Sequence, residues 1–378
     1  MDYLYFPGCT LYTKAKNFDQ TARECSQRLG FELKELSLWT CCGATFPLAT
    51  DNIMALLPPA RILANAREQG SVLTTLCAVC FNVIKRTNRL IQEDQEKRDK
   101  INNFIEKNYQ GDLRILHYLE ILKQEVGFPQ LKERVKKDLS GLKAAAYYGC
   151  MLLRPFDEMK FDDKEKPTIF EEFLETLGAK AVDFPYKIEC CGSFQSVGSP
   201  DVATECAYRI LGSAIKNGAE VIVSTCPMCT FNIDHKQADI KKKYLDFKEI
   251  PVLYCTQVLG LALGLDYRTL GFEQNFVNPE PLLQLDRVIH EKGRLAIMSM
   301  LAASPELSFI ELRETLEMTD GNLTTHIRTL QEEGYVSVAK SYRNNRRLTT
   351  VSMTPAGRGA FTDYLALLEQ IVREAKPR

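Results

Sequence analysis

The tripeptide Cys190-Cys191-Gly192 constrains this chain most, because it repeats an earlier Cys41-Cys42-Gly43 and each copy sits inside the same wider cysteine frame. Neighbouring cysteines make poor disulfide partners. A bridge asks for a Cα separation of about 4.4–6.8 Å across suitably aimed side chains, and bonding adjacent residues strains the peptide between them. Two thiolates held side by side suit a multi-iron centre better. Ten of the 13 cysteines fall into two sets of five. The first is Cys9, the pair Cys41-Cys42, then Cys77 and Cys80; the second is Cys150, the pair Cys190-Cys191, then Cys226 and Cys229. The interval from Cys42 to Cys77 equals that from Cys191 to Cys226, and both sets end in C-x-x-C. Cys25, Cys206 and Cys255 stand outside both sets and read as buried structural thiols.

A duplicated module accounts for the spacing. Tyr5-Phe6-Pro7-Gly8-Cys9 parallels Tyr147-Tyr148-Gly149-Cys150, Arg61-Ile62-Leu63 parallels Arg209-Ile210-Leu211, and Phe81-Asn82 parallels Phe231-Asn232. Within each copy, Asp2 to Phe6 and Ala144 to Tyr148 are apolar runs that stop at Gly-Cys, and Val72 to Leu76 and Val221 to Thr225 are β-rich runs that stop at the next cysteine pair. Helical apolar spacing marks Thr21 to Leu29, Met54 to Gln69, Thr168 to Leu177 and Asp201 to Asn217, with Gly30, Gly70, Gly178 and Gly218 placed to close them. Strands alternating with helices predict an α/β fold with a small parallel sheet per module, whose ligands bind beyond the strand C-termini. Phe81 to Lys143 is charged and reads as amphipathic helices bracing one module on the other.

With 378 residues, 45% hydrophobic and 26% charged, the chain is globular and long enough for two or three cores; its net charge of −1 gives no global pull toward nucleic acid or membrane. No run of about 18 apolar residues could span a bilayer and no signal peptide opens the chain, so the expected compartment is the cytoplasm, without membrane association. Reducing conditions there keep thiols open, which turns the cysteines toward metal or redox chemistry. Thiolates select zinc, copper(I) or iron–sulfur. Zinc takes four ligands, as does an ordinary cubane, so five thiols per set leave a larger cluster or one spare reactive thiol. Structural zinc and unliganded redox thiols stay as alternatives.

At these residues the chain resembles the cysteine-rich subunit of heterodisulfide reductase and its bacterial relatives, which carry two CCG domains. The resemblance runs from residue 1 to about 284 and includes Leu116-His117-Tyr118-Leu119-Glu120 and Gln257 to Leu265. It implies two noncubane [4Fe-4S] iron–sulfur clusters, one on Cys9, Cys41, Cys42, Cys77 and Cys80 and one on Cys150, Cys190, Cys191, Cys226 and Cys229, facing a disulfide substrate. It also implies electrons from a ferredoxin-like iron–sulfur subunit fed by a flavoprotein, since no G-x-G-x-x-G fingerprint is present in the chain. The first centre departs from the archaeal pattern, which tends to have proline after the cysteine pair. His117 and His235 read as structural histidines ahead of proton donors.

Near Pro279-Glu280-Pro281 the style changes. Arg287 to Ala302, Ser308 to Leu316 and Asp320 to Glu332 read as helices, Tyr335 to Lys340 and Leu348 to Met353 as strands around a basic turn, and Gly357 to Glu374 as a last helix. The order describes a winged helix-turn-helix, and the residues from 286 to 378 resemble winged-helix transcription regulators related to the MarR group. By that resemblance Asn322, Thr324, Thr325 and Arg328 face the DNA major groove while Arg343, Arg346 and Arg347 put a wing on phosphates. The count of 13 Lys and Arg against 12 Asp and Glu in this segment keeps a docking or homodimerisation module as the alternative behind DNA binding. The expected domains are a first module with its helical connector over 1–143, a second module over 144–284 and the winged helix over 285–378. The expected function is a disulfide reductase subunit, with a redox- or cluster-responsive transcriptional regulator as the alternative.

Overall fold

A computed structural model describes residues 2–44, 53–286, 288–343 and 346–375, leaving aside the side chains of 342–347 and 370–375. The chain divides into two compact units, Met1–Asn278 and Pro279–Arg378.

The first unit holds two four-stranded sheets of one topology. β1 (Asp2–Tyr5), β2 (Glu32–Glu35), β3 (Val72–Thr75) and β4 (Arg114–His117) pair in the order β2-β1-β3-β4, all parallel. β5 (Lys143–Tyr147), β6 (Lys180–Ala181), β7 (Val221–Ser224) and β8 (Val252–Tyr254) repeat it as β6-β5-β7-β8. Val221, Ile222 and Val223 are fully buried, as expected for a strand covered on both faces. The helix Lys16–Leu29 buries Phe18, Thr21, Ala22 and Cys25, a single stripe at helical spacing.

The stretch 81–143 is not helical throughout. Helices Ala78–Glu93 and Gln95–Ile105 are followed by β4, which completes the first sheet, and by a π-helical turn Ile121–Val126. The segment therefore finishes the first module as well as bridging to the second. Of the four glycines placed to close helices, Gly30, Gly178 and Gly218 take the left-handed backbone and Gly70 does not.

The two modules grip each other through buried polar contacts. Asn82 Nδ2 donates to the carbonyls of Met151 and Arg154 at 2.7 and 2.6 Å. Thr21 and Thr256 hydroxyls meet at 2.5 Å, and Phe18 stacks on Tyr254 with ring centroids 4.3 Å apart. Each such contact ties the helical layer of one module to the sheet end of the other.

The second unit is a winged helix. Helices Lys292–Ala303, Phe309–Thr315 and Asp320–Glu332 bury Ile297, Leu301, Leu312, Leu323, Ile327 and Leu330 in one core. The first of these starts at Lys292 and not at Arg287, where its apolar pattern begins, because the Glu291 carboxylate caps it by accepting from the Gly293 and Arg294 amides. Ser308 and Glu311 form a capping box on the next helix. The short strand β9 (Leu307–Ser308) joins β10 (Val336–Arg343) and β11 (Arg346–Met353) in an antiparallel sheet. The hairpin ladder runs out to Arg343 opposite Arg346, further into the basic tip than side-chain polarity predicts, because the pairing is made by the backbone. The final helix is Pro355–Ala375.

Candidate iron–sulfur centres

Each set of five thiols assembles at the C-terminal end of its sheet. β1 ends shortly before Gly8, whose φ of +75° turns the chain so that Cys9 opens the helix Gly8–Thr13. Gly149, with φ +65°, also turns the chain before Cys150, there into a run of turns. A Cβ on Gly8 would lie 2.9 Å from Cys80 Sγ, and one on Gly149 3.3 Å from Cys229 Sγ. The glycines are therefore fixed by space as well as by backbone angle.

Cys77 and Cys226 follow β3 and β7 and sit at the N-caps of helices Ala78–Glu93 and Pro227–His235, with Cys80 and Cys229 inside the first turn. Unpaired amides and the positive end of the helix dipole face any anion held there, each such arrangement being worth about 0.3–1 kcal/mol. The Cys229 amide donates to Cys226 Sγ at 3.5 Å. From the loops come the adjacent pairs: Cys41 Sγ lies 3.7 Å from Cys9 Sγ, Cys42 Sγ 3.5 Å from Cys80 Sγ, and Cys191 Sγ 3.4 Å from Cys229 Sγ. The amides of Gly43 and Gly192 donate to Cys41 Sγ and Cys190 Sγ at 3.5 and 3.4 Å. All 13 cysteines are free thiols. Cys42, Cys77, Cys80, Cys191, Cys226 and Cys229 form a buried floor under a more open rim of Cys9, Cys41, Cys150 and Cys190. Among the described residues no three such side chains close on a single ion position; the thiols make a chain of contacts instead.

The two floors touch. The neighbouring Cys226 thiol across the module boundary first, with Cys80 next, holds the Cys77 thiol well below its ordinary range. In the second centre the hydrogen bond from Cys150 lowers Cys190 and raises Cys150 in turn.

The surroundings fit a sulfide-bearing group. Of the five buried side-chain polar atoms without a hydrogen-bond partner among the described residues, four belong to Thr75, Asn82, Thr225 and Thr230, each close in sequence to Cys77, Cys80, Cys226 or Cys229. The three orphaned hydroxyls, of Thr75, Thr225 and Thr230, are donors of the kind that iron–sulfur clusters accept at sulfur, whereas Asn82 Oδ1 only accepts.

Cys25 and Cys255 are buried as expected, and Cys25 Sγ donates to the Thr256 carbonyl at 3.6 Å. Cys206 is not remote: it is half-buried beside the second centre, where a Cβ on Gly192 would stand 3.2 Å from its Sγ. His117 is structural. Its ring is buried, Nδ1 accepts from the Leu119 amide and Nε2 meets the Leu76 carbonyl at 2.9 Å, while burial pushes it down to about 4.

A cavity of about 690 Å³ opens beside both centres. Its wall includes Thr10, next to Cys9, together with Ser193 and Pro227, which lie just beyond Cys191 and Cys226. Sequence reasoning missed this cavity and its Lys14, Tyr254 and Phe276, because nothing local in the chain announces them. It also set Phe81-Asn82 against Phe231-Asn232, and the register corrects this. Thr75 pairs with His117 as Ser224 pairs with Tyr254, so the residue after Cys80, Phe81, corresponds to the residue after Cys229, Thr230.

In the winged helix, Asn322, Thr324, Thr325 and Arg328 share one exposed face of the helix Asp320–Glu332. The threonine hydroxyls donate to the carbonyls of Asp320 and Gly321, and Arg328 pairs with Glu332 at 2.8 Å. The side chains of Arg343, Arg346 and Arg347 lie outside the described residues.

Two duplicated thiol nests, each at the mouth of a small parallel sheet, make this a tandem CCG protein: the family model for the cysteine-rich domain matches residues 3–85 and 144–234, and that for a winged helix DNA-binding domain matches 294–372. The 8-methylmenaquinol:fumarate reductase membrane anchor subunit of Wolinella succinogenes is 33% identical over 284 residues, covering 74% of this chain and 99% of the relative. A ferredoxin:CoB-CoM heterodisulfide reductase subunit of Methanosarcina mazei is 33% identical over 282 residues, covering 72% and 92%. The chain belongs to this heterodisulfide reductase family of CCG iron–sulfur redox proteins, extended by a winged helix. A crystal structure of a hypothetical protein from Helicobacter pylori shares the fold, with TM-score 0.58 at 14% identity over 73% of this chain and 51% of that one. Both relatives are named as subunits of enzymes. Among the described residues no helix is long and apolar enough to cross a membrane.

Proposed function

We propose that this chain is the catalytic subunit of a disulfide reductase. Cys9, Cys41, Cys42, Cys77 and Cys80 would hold one noncubane [4Fe-4S] cluster, and Cys150, Cys190, Cys191, Cys226 and Cys229 the other. The observation that carries the reading is the shared cavity: ligand neighbours from both sets, Thr10 on one side and Ser193 and Pro227 on the other, wall a single space of about 690 Å³. A disulfide lying there would have chain neighbours of both thiol sets along its walls.

The reaction takes two electrons and two protons and yields two thiols from one disulfide. When bound, the clusters supply the electrons singly, and by the family resemblance their source is a ferredoxin-like iron–sulfur subunit fed by a flavoprotein. The chain's own residues do the rest. The rim thiols Cys9, Cys41, Cys150 and Cys190 set where the centres meet solvent. Pro227, Met228, Phe231, Tyr254 and Phe276 give the cavity apolar wall against which the substrate's carbon chains can lie. Protein purified without oxygen should carry roughly eight irons per chain, two four-iron groups, and give an EPR signal when poised with oxidising thiol. Four or fewer irons would rule out the pair. Reduced viologen should then drive turnover of an added disulfide.

The exposed Asn322, Thr324, Thr325 and Arg328 face favours a second reading. In it the winged helix binds DNA, through a homodimer reading two half-sites, and the state of the clusters changes its affinity. Oxidised and reduced protein should then differ in gel-shift retention of genomic fragments, and equal retention would remove this reading.

A further inference from the structure

The two modules differ at the corresponding pairs Phe81/Thr230 and His117/Tyr254, and both second-module residues line the cavity. In the first module Phe81 is fully buried. Its ring packs on His117 at 5.4 Å and on Phe161 at 6.0 Å, and Phe161 meets His117 at 5.6 Å, so three rings close the space at the end of β4. In the second module the corresponding residues are Thr230, at the position of Phe81, and Tyr254, at the position of His117. Here a short hydroxylated side chain stands where the other copy has a benzyl group. Thr230 and Tyr254 both line the 690 Å³ cavity. Phe231 and Phe276 rim it, 54% and 57% exposed, with rings 5.8 Å apart.

The lining is apolar for most of its extent. Among the described residues Lys14 is its only cation, and the Asp234 carboxylate is already engaged by the amides of Phe276 and Val277 at 2.8 and 3.2 Å. The Thr230 hydroxyl lies beside the Tyr254 phenol but short of hydrogen-bonding geometry with any described residue.

We propose that Thr230 is the specificity-determining residue of this cavity: by standing where its duplicate has a phenylalanine, it admits an apolar arm of the disulfide substrate on the second-module side only. The inference rests on the disulfide-reducing reading for the word substrate, though not for the cavity. The enzyme would then treat the two halves of its substrate unequally, holding one by its body and leaving the other at the open rim. Disulfides with an apolar half should be preferred to small polar ones through KM.

The test uses the full cluster-loaded chain under anaerobic conditions. Calorimetric titration with 8-anilinonaphthalene-1-sulfonate, an apolar ring system with one negative charge, should show one equivalent bound by the wild type. Thr230→Phe should weaken that binding at least tenfold, while Thr230→Ser keeps it. Met228→Trp fills the same cavity from a partly exposed wall position and serves if Thr230→Phe loses iron. No binding by the wild type, equal binding by both filled variants, or loss in Thr230→Ser as large as in Thr230→Phe overturns the inference. A parallel assay compares a dibenzyl-type disulfide with hydroxyethyl disulfide: Thr230→Phe should raise KM for the first alone. If the probe binds as expected but the wild type reduces neither disulfide, the cavity stands and the proposed function falls.

Discussion

Cys191→Ser should cut the iron content from roughly eight to roughly four per chain and abolish disulfide turnover, while the first centre keeps its EPR signal. Cys191 is 2% exposed, and its Sγ lies 3.4 Å from Cys229 in the floor of the second nest. A serine hydroxyl there is a far poorer soft-metal ligand than a thiolate, and the buried site offers no water to replace it. The first nest has its own floor in Cys42, Cys77 and Cys80 and its own helix N-cap at Cys77. Iron analysis with EPR on anaerobic protein checks the expectation; unchanged iron would show that Cys191 ligates nothing.

Gly8→Ala should damage the first centre more than Gly149→Ala damages the second. Both glycines have positive φ, so either substitution costs about 1–2 kcal/mol in backbone strain alone. The difference lies in the space. An added methyl meets Cys80 Sγ at 2.9 Å in the first case, closer than real contacts allow, and Cys229 Sγ at 3.3 Å in the second. A free thiol could swing aside, but one bound to iron cannot. The measurement is iron retention during slow anaerobic dialysis against a chelator, with thermal melts alongside. Loss from the first centre should be several-fold faster in Gly8→Ala, with both melts lowered by a few degrees. Equal loss from both variants would mean that Cys80 is not held by metal.

Much of this was legible in the chain. Runs such as Val221-Ile222-Val223 that stop at a cysteine pair locate both a strand and a ligand, since a buried parallel strand needs unbroken apolar residues and cofactors gather at its C-terminal end. The duplication then doubled every inference. The outer strands β4 and β8 were not legible as such: Arg114-Ile115-Leu116-His117 and Val252-Leu253-Tyr254 are too short to show a period, and β4 lies in charged helical surroundings. The neighbourhood of Cys206 depends on how Pro200–Lys216 lies against Gly192, a tertiary fact with no local signature. The cavity was hidden for a subtler reason. Thr230 in its wall stands where the first module has Phe81, and the look-alike Phe-Asn pairs of the two copies stand one position out of structural step, which masks the substitution.

The exchange of layers between the modules bears on how the chain is made. Phe18 and Thr21, near the start, find their packing partners in Tyr254 and Thr256, and Asn17 donates to the Gly271 carbonyl at 3.2 Å. Until Gly271 has left the ribosome, the inner face of the first long helix lacks the layer that covers it. A nascent chain of this protein therefore carries an uncapped apolar surface through most of its synthesis, a state in which domains are prone to stick to other chains. Chaperone occupancy during translation should be prolonged over the first module and end as Gly271 emerges.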